Sequence, residues 1–196
     1  MIPEIGHFSL IVGFCLVILL STLPLAGVFR GNLLWMSLCR PLACGQFVFT
    51  LISFICLAQA FLVDDFSVAY VASNSNSLLP WYYKFSAVWG AHEGSLLLWL
   101  FILSGWTLAV AVFSQQMPLA MVARVLPVMG MVATGFFLFL LFTSNPFERA
   151  LPFPPADGGD LNPLLQDIGL IIHPPLLYMG YVGFSVPFAF AIAALL

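Results

Sequence analysis

Apolar residues run through this chain in long blocks, and polar positions interrupt those blocks rather than alternating with them. Five stretches close to the roughly 20 residues that cross a hydrocarbon core carry no charge: residues 8–28, 42–63, 95–113, 125–143 and 176–196. Each is apolar all round rather than along one stripe, so the pattern predicts five transmembrane helices and an all-α, polytopic membrane protein. The first block exceeds the apolar region of a cleavable signal, about 7 to 15 residues, and no Lys or Arg precedes Arg30. It is read as a retained span.

The interruptions are of two kinds. "FRGNLLWMSLCRP" and "SQQMPLAMVAR" are short links punctuated by Pro41 and Pro118. Residues 64–94 and 144–175 form loops far longer than the usual connection of about 4 to 6 residues. Cytoplasmic loops are enriched in Lys and Arg, which assigns Arg30, Arg40 and Arg124 to the cytoplasmic side and leaves Lys84 and Arg149 outside. The long loops and the N terminus then face outward. All eight acids and all three histidines also fall on that outward side, which is where chemistry is expected.

Each long loop has its own grammar. The first contains "LLPWYYKFSAVWGAHEG", with Trp81, Tyr82, Tyr83, Phe85 and Trp89 inside nine residues. Pro80 suits a first helical position, and aromatics favour the membrane interface, so a short interfacial helix is predicted with rings shared between headgroups and a partner or ligand. The second loop holds seven of the fourteen prolines. Within it "NPLLQDIGLII" reads as one short helix capped by Asn162, and "HPP" reads as its stop, since a residue before proline is driven out of the helical region. His173 is thereby expected between two helices. No internal repeat or low-complexity tract is evident.

Composition narrows the function classes. With 62% hydrophobic and 7% charged residues, the chain cannot clothe a soluble domain. Its five Lys and Arg are scattered, so nucleic acid is excluded as a partner and the lipid bilayer takes its place. Phosphate loops, dinucleotide glycine patterns, serine elbows and H-E-x-x-H are all missing. Cys15, Cys39, Cys44 and Cys56 fall in spans or on the cytoplasmic side, where thiols stay reduced, and no C-x-x-C-H motif is present.

Three side-chain groups remain as candidate chemistry. His173 precedes Pro174, Pro175 and the fifth span, a display site suited to iron ligation by a neutral imidazole, with Tyr178 near enough to line a porphyrin face; a helix-capping histidine is the plain alternative. Trp89, His92, Leu96 and Trp99 share one helix face by their spacing, and haem contact, proton path or loop anchor all fit His92. Glu93 points about 100° away from His92 and needs either a partner, for which Lys84 and Arg149 are the candidates, or interfacial water. His7 carries no signal.

Three stretches together, "MIPEIGHFSL", "SNSNSLLPWYYKFSAVWGAHEGSLLLW" and "TSNPFERALPFPPADGGDLNPLLQDIGLIIHPPLLYMGYVGFSVPFAFAIAALL", resemble the N-terminal part of the CcmF-type cytochrome c maturation haem lyases, including their nitrite-reductase-associated NrfE relatives. The resemblance implies a bacterial inner-membrane subunit that accepts haem b from a periplasmic haem chaperone and helps attach it to apocytochrome c alongside other maturation subunits. It implies that His173 is an axial haem ligand, with Trp81, Trp89, His92 and Tyr178 as haem-facing candidates. The family's tryptophan-rich segment and second periplasmic histidine have no counterpart in these residues, so the chain is expected to be a fragment or one product of a split gene. A proton-coupled transporter segment and a cofactor-free assembly subunit are the rival readings; the first expects charges at mid-membrane, and the five apolar blocks have none.

The topology is open to a direct check. Alkaline phosphatase fused after Asp157 is expected to be active and after Gln115 inactive; the reverse pattern would put every candidate histidine on the cytoplasmic side.

Overall fold

The apolar blocks fold as helices that outrun the charge-free stretches marking them. Hydropathy registers side chains, whereas a helix ends only where its backbone loses partners. The computed structural model of the protein describes every residue from Met1 to Leu196. Its helices are α1 (Ile2–Arg30), α2 (Leu33–Ser37), α3 (Cys39–Leu62), α4 (Ala69–Asn74), α5 (Trp81–Ala87), α6 (His92–Phe113), α7 (Leu119–Phe142), α8 (Ile168–Gly183) and α9 (Ser185–Leu195), with one 3₁₀ turn at Pro163–Gln166. Five helical runs are long and apolar enough to cross a membrane: α1, α2 with α3, α6, α7, and α8 with α9. The fold is all-α, with a single isolated β-bridge and no strand.

Local chemistry sets several of the ends. Gly31 closes α1 in the left-handed conformation (φ 65°), which a glycine adopts without steric cost, and Asn32 then caps α2 by accepting the N–H of Trp35. The break between α8 and α9 at Phe184 sits three residues before Pro187, whose missing N–H leaves the carbonyl of Gly183 without its helical donor.

Packing is governed by size more than by hydrophobicity, because both faces of these helices are oily. The buried stripe of α1 includes Pro3, Gly6, Leu10, Gly13, Val17, Leu20, Pro24 and Gly27. That alternation of three and four keeps one seam facing α3 and α7 along the whole helix. Glycines recur along the seam at positions 6, 13 and 27, as expected where helices associate by close approach rather than by exclusion from water. A Cβ on Gly6 would enter the ring of buried Phe147. Helices α1, α3, α6 and α7 thus form the bundle, while α8 and α9 lie outside it against α6 and α7.

On the loop-bearing side, residues 64–94 and 144–175 fold together into one cap. Ala69 N–H donates to Glu148 O at 2.8 Å and Ala150 N–H to Ser67 O at 2.9 Å, forming an antiparallel bridge around Val68 and Arg149. Gly159 N–H donates to Ala72 O at 2.7 Å, and Asn76 donates to Asp160 at 2.6 Å. The backbone N–H and hydroxyl of Ser77 both reach Asp157, and these donors hold its carboxyl below the usual carboxylate range. Both cations of the cap are neutralised within it: Lys84 pairs with Asp64 at 2.6 Å, and Arg149 with Glu4 and Asp65. Lys84 and Arg149 are therefore occupied, and of the two expectations for Glu93, an ion pair with one of them or interfacial water, the ion pair does not form. Glu93 lies half-buried in the first turn of α6, where the partial positive charge of the helix N terminus offsets its charge.

Candidate functional site

His173 does not stand between two helices. The segment read as one short helix splits instead at Asp167: Pro163–Gln166 forms the 3₁₀ turn, capped by Asn162, and α8 starts anew at Ile168. The Asp167 carboxylate accepts the N–H groups of Gly169 (2.8 Å) and Leu170 (3.2 Å), so the helix is capped at Asp167, well before Pro174. From that start α8 runs through His173, Pro174 and Pro175 to Gly183. The rule that a residue before proline leaves the helical region is overridden by contacts from outside the helix. Pro175 has no N–H for the carbonyl of Ile171, four residues earlier, and the indole Nε1–H of Trp89 donates to that oxygen at 3.1 Å. Tyr83 O–H donates to Gln166 O at 2.8 Å, Trp106 Nε1–H donates to Met179 O at 3.2 Å, and the Ser95 and Tyr178 hydroxyls meet at 2.6 Å.

The candidate residues divide between two sides of α8. Trp89, His92 and Tyr178 come together with Ser95, Leu96 and Trp99 around a cleft of about 280 Å³. Trp99 lies 5.1 Å from Tyr178, centroid to centroid. His173 and Tyr178 are five residues apart, which turns their side chains about 140° from one another around the helix. His173 is exposed on the outer side, among the exposed residues Leu170, Leu176, Leu177 and Phe184. Trp81 is 71% exposed at the start of α5, away from the cleft, and Pro80 serves as the cap before that helix rather than its first residue. Helix α5 does present Trp81, Tyr82 and Phe85 outward and buries Lys84, Ser86 and Ala87.

His92 ties the two loops. Its Nδ1 lies 2.8 Å from the Ser144 hydroxyl at the start of the second loop, and its ring meets Phe139 edge-on. On its other flank a second cleft of about 310 Å³ runs between α6 and α7, lined by Leu96, Val132, Phe136 and Phe139.

Two residues that organise this region gave no signal in the sequence. Tyr70, on α4, is buried beneath "WGAHEG": its hydroxyl accepts the N–H of Ala91 at 3.2 Å and donates to Val88 O at 3.1 Å. Burial pushes its phenol well above the ordinary tyrosine range, so it stays a donor at any physiological pH. Gly94 is the other; a Cβ there would run into the carbonyl oxygen of Val88 and the Tyr70 hydroxyl. Glycine after His92 and Glu93 is thus what lets the turn fold against α6. One of three tyrosines in a loop of mixed residues, Tyr70 has no pattern to betray it, whereas the glycine was visible in the motif without its reason.

The geometry defines an all-α polytopic membrane protein whose histidine-bearing residues gather on one loop-capped side. A family profile described as "Cytochrome C assembly protein" matches residues 89–196. Along its whole length the chain is 70% identical to the cytochrome c-type biogenesis protein CcmF of Pseudomonas aeruginosa and 61% identical to CcmF of Escherichia coli. It is 47% identical to the cytochrome c-type biogenesis protein NrfE of Haemophilus influenzae. Its fold matches a solved structure titled "Cytochrome c Heme Lyase CcmF" with a TM-score of 0.85 and 28% identity over 99% of this chain. The chain spans about 30% of the length of the CcmF relatives and of that structure. It belongs to the cytochrome c assembly protein family, and the resemblance to CcmF-type proteins holds from end to end.

Tyr70 provides the check on this geometry. Tyr70→Phe leaves a buried N–H and a buried carbonyl without their partner and is expected to destabilise the cap by about 1–3 kcal/mol. Thermal unfolding in detergent, followed by limited proteolysis of residues 64–94, measures it; an unchanged profile would contradict the role given to the hydroxyl.

Proposed function

We propose that the chain is the haem-receiving part of a cytochrome c maturation subunit in the bacterial inner membrane, with its N terminus and both long loops in the periplasm. Haem b delivered by a periplasmic haem chaperone is the cargo, and apocytochrome c is the acceptor. Further segments or maturation subunits complete the site. One observation carries the reading: His173 is exposed on an outer face of α8 that is otherwise apolar, at the end of the helix joined to the loop cap.

The residues present fit the cargo. Iron in haem is held by imidazole, and a porphyrin needs a flat apolar floor around its ligand. Leu176 is 67% exposed, Leu170 41% and Leu177 39%, and Gly180 has open space where a Cβ would project, so the floor is neither filled nor walled. His173 supplies one axial ligand, and a second must come from outside this chain. The exposed Trp81 and its neighbours on α5 offer the surface for the chaperone or the cargo's edge. Trp89, His92 and Tyr178 lie on the other side of α8, so their part is to hold the helix rather than to touch a haem on His173. Bound haem supplies the vinyl carbons to which the cysteine thiols of apocytochrome c add, each S–H crossing one C=C bond without net oxidation or reduction. This chain's share of that chemistry is to fix the iron and keep the porphyrin face dry.

The transporter reading lacks support, because the helices bury Gln46, Thr50, Ser53, Ser104 and Thr107 but no ionisable pair at mid-span. The cofactor-free reading is separated by experiment. His173→Gly in the intact maturation complex is expected to lower holocytochrome c by about 10- to 100-fold at normal protein level, and added imidazole is expected to restore part of it. Undiminished holocytochrome c would sink the ligand assignment.

A further inference from the structure

We infer that Trp89 is a positioning residue for His173, acting through the carbonyl of Ile171, and that "WGAHEG" and "IIHPP" are the two halves of one device. The inference deepens the proposed haem-receiving role and rests on it.

Two prolines in succession remove the N–H groups that residues 174 and 175 would direct to the carbonyls of Leu170 and Ile171. A helix that loses consecutive bonds at the membrane edge can bend or unwind there, and His173 sits between the freed carbonyls and the prolines. Trp89 closes one of the two gaps: its indole N–H donates to Ile171 O at 3.1 Å. Trp89 is itself fixed, since Gly90 N–H donates to Ala87 O at 2.9 Å, Trp89 N–H to Ser86 O at 3.3 Å, and Phe85 meets its ring edge-on at 5.4 Å. Further along α8, Tyr178 is held by Ser95, on the helix that follows "WGAHEG". The His173 imidazole, about 140° around the helix from Tyr178, is free to face outward only while the opposite side of α8 is anchored in this way. A tryptophan is required because the donor must reach across from the turn after α5 while its ring forms a wall of the cleft; phenylalanine supplies the wall without the donor.

The dependence on Pro175 makes the device separable from mere packing. In Pro175→Ala the new N–H can serve Ile171 O within the helix, and Trp89 is no longer needed for it. The experiment uses the full protein with its maturation partners in detergent and four versions: unaltered, Trp89→Phe, Pro175→Ala and the double variant. Two readouts are taken. The first is amide hydrogen exchange of Ile172, His173, Leu176 and Leu177 in haem-free protein. The second is the haem absorption spectrum after loading, with His173→Gly and imidazole as reference.

Trp89→Phe is expected to speed exchange by about three- to tenfold and to convert part of the six-coordinate spectrum to five-coordinate, while the double variant behaves like Pro175→Ala alone. Exchange and spectrum unchanged in Trp89→Phe would overturn the inference. So would a double variant as impaired as Trp89→Phe, because packing alone would then explain the loss. If His173→Gly leaves the spectrum intact, the ligand reading itself fails, and with it the purpose assigned to Trp89; if His173→Gly alters the spectrum and Trp89→Phe does not, only the positioning role fails.

Discussion

The carbonyl of Ile171 is the point on which the histidine-bearing region turns. Pro175 cannot donate to it, and a backbone oxygen left without a partner near the hydrocarbon edge costs several kcal/mol. Trp89 supplies the missing donor from a loop more than eighty residues earlier, and that single bond ties α8 to the aromatic segment. Around it lie the other bonds that bring the two loops together: Tyr83 to Gln166, His92 to Ser144, Ser77 to Asp157. The cap can form because both of its cations find carboxylates inside it, so neither cation is left unpaired against the apolar bundle.

This arrangement explains why residues so far apart in the chain are grouped by chemistry. The bundle of α1, α3, α6 and α7 is a scaffold whose close contacts are set by small side chains. Helix α8 is different, because little of it is buried and its outer face stays apolar and open. A scaffold that leaves one helix face uncovered while fixing its other face with hydrogen bonds is suited to presenting a side chain. His173 is the only titratable residue on that open face between Asp167 and Tyr178.

Much of this was legible in the residues. Charge-free runs located all five membrane-length helices, because a hydrocarbon core tolerates few charges and the signal is cumulative over roughly 20 positions. Helical spacing placed Trp89, His92, Leu96 and Trp99 on one helix face; His92, Leu96 and Trp99 do share α6, whereas Trp89 lies in the turn before it and reaches the same cleft from there. What could not be read was anything decided by partners distant in sequence. The "HPP" segment looked like a stop because local rules govern an isolated strand of residues, and nothing in residues 162–175 announces the tryptophan that rescues the helix. Glu93 was expected on Lys84, on Arg149 or at interfacial water, and the two cations go to Asp64, Asp65 and Glu4 instead. Tyr70 is one tyrosine in a loop of mixed residues, and only the fold shows that its hydroxyl supports the turn.

Under the proposed function, His173 carries the iron of the incoming haem. Pulsed electron paramagnetic resonance of the haem-loaded maturation complex tests it most directly, using protein whose histidines are labelled with nitrogen-15. Ligation by His173 gives one axial nitrogen-15 coupling that is lost in His173→Gly, leaving only that of the second ligand, and that unlabelled imidazole replaces with an axial nitrogen-14 coupling. A set of axial couplings unchanged in His173→Gly would contradict it.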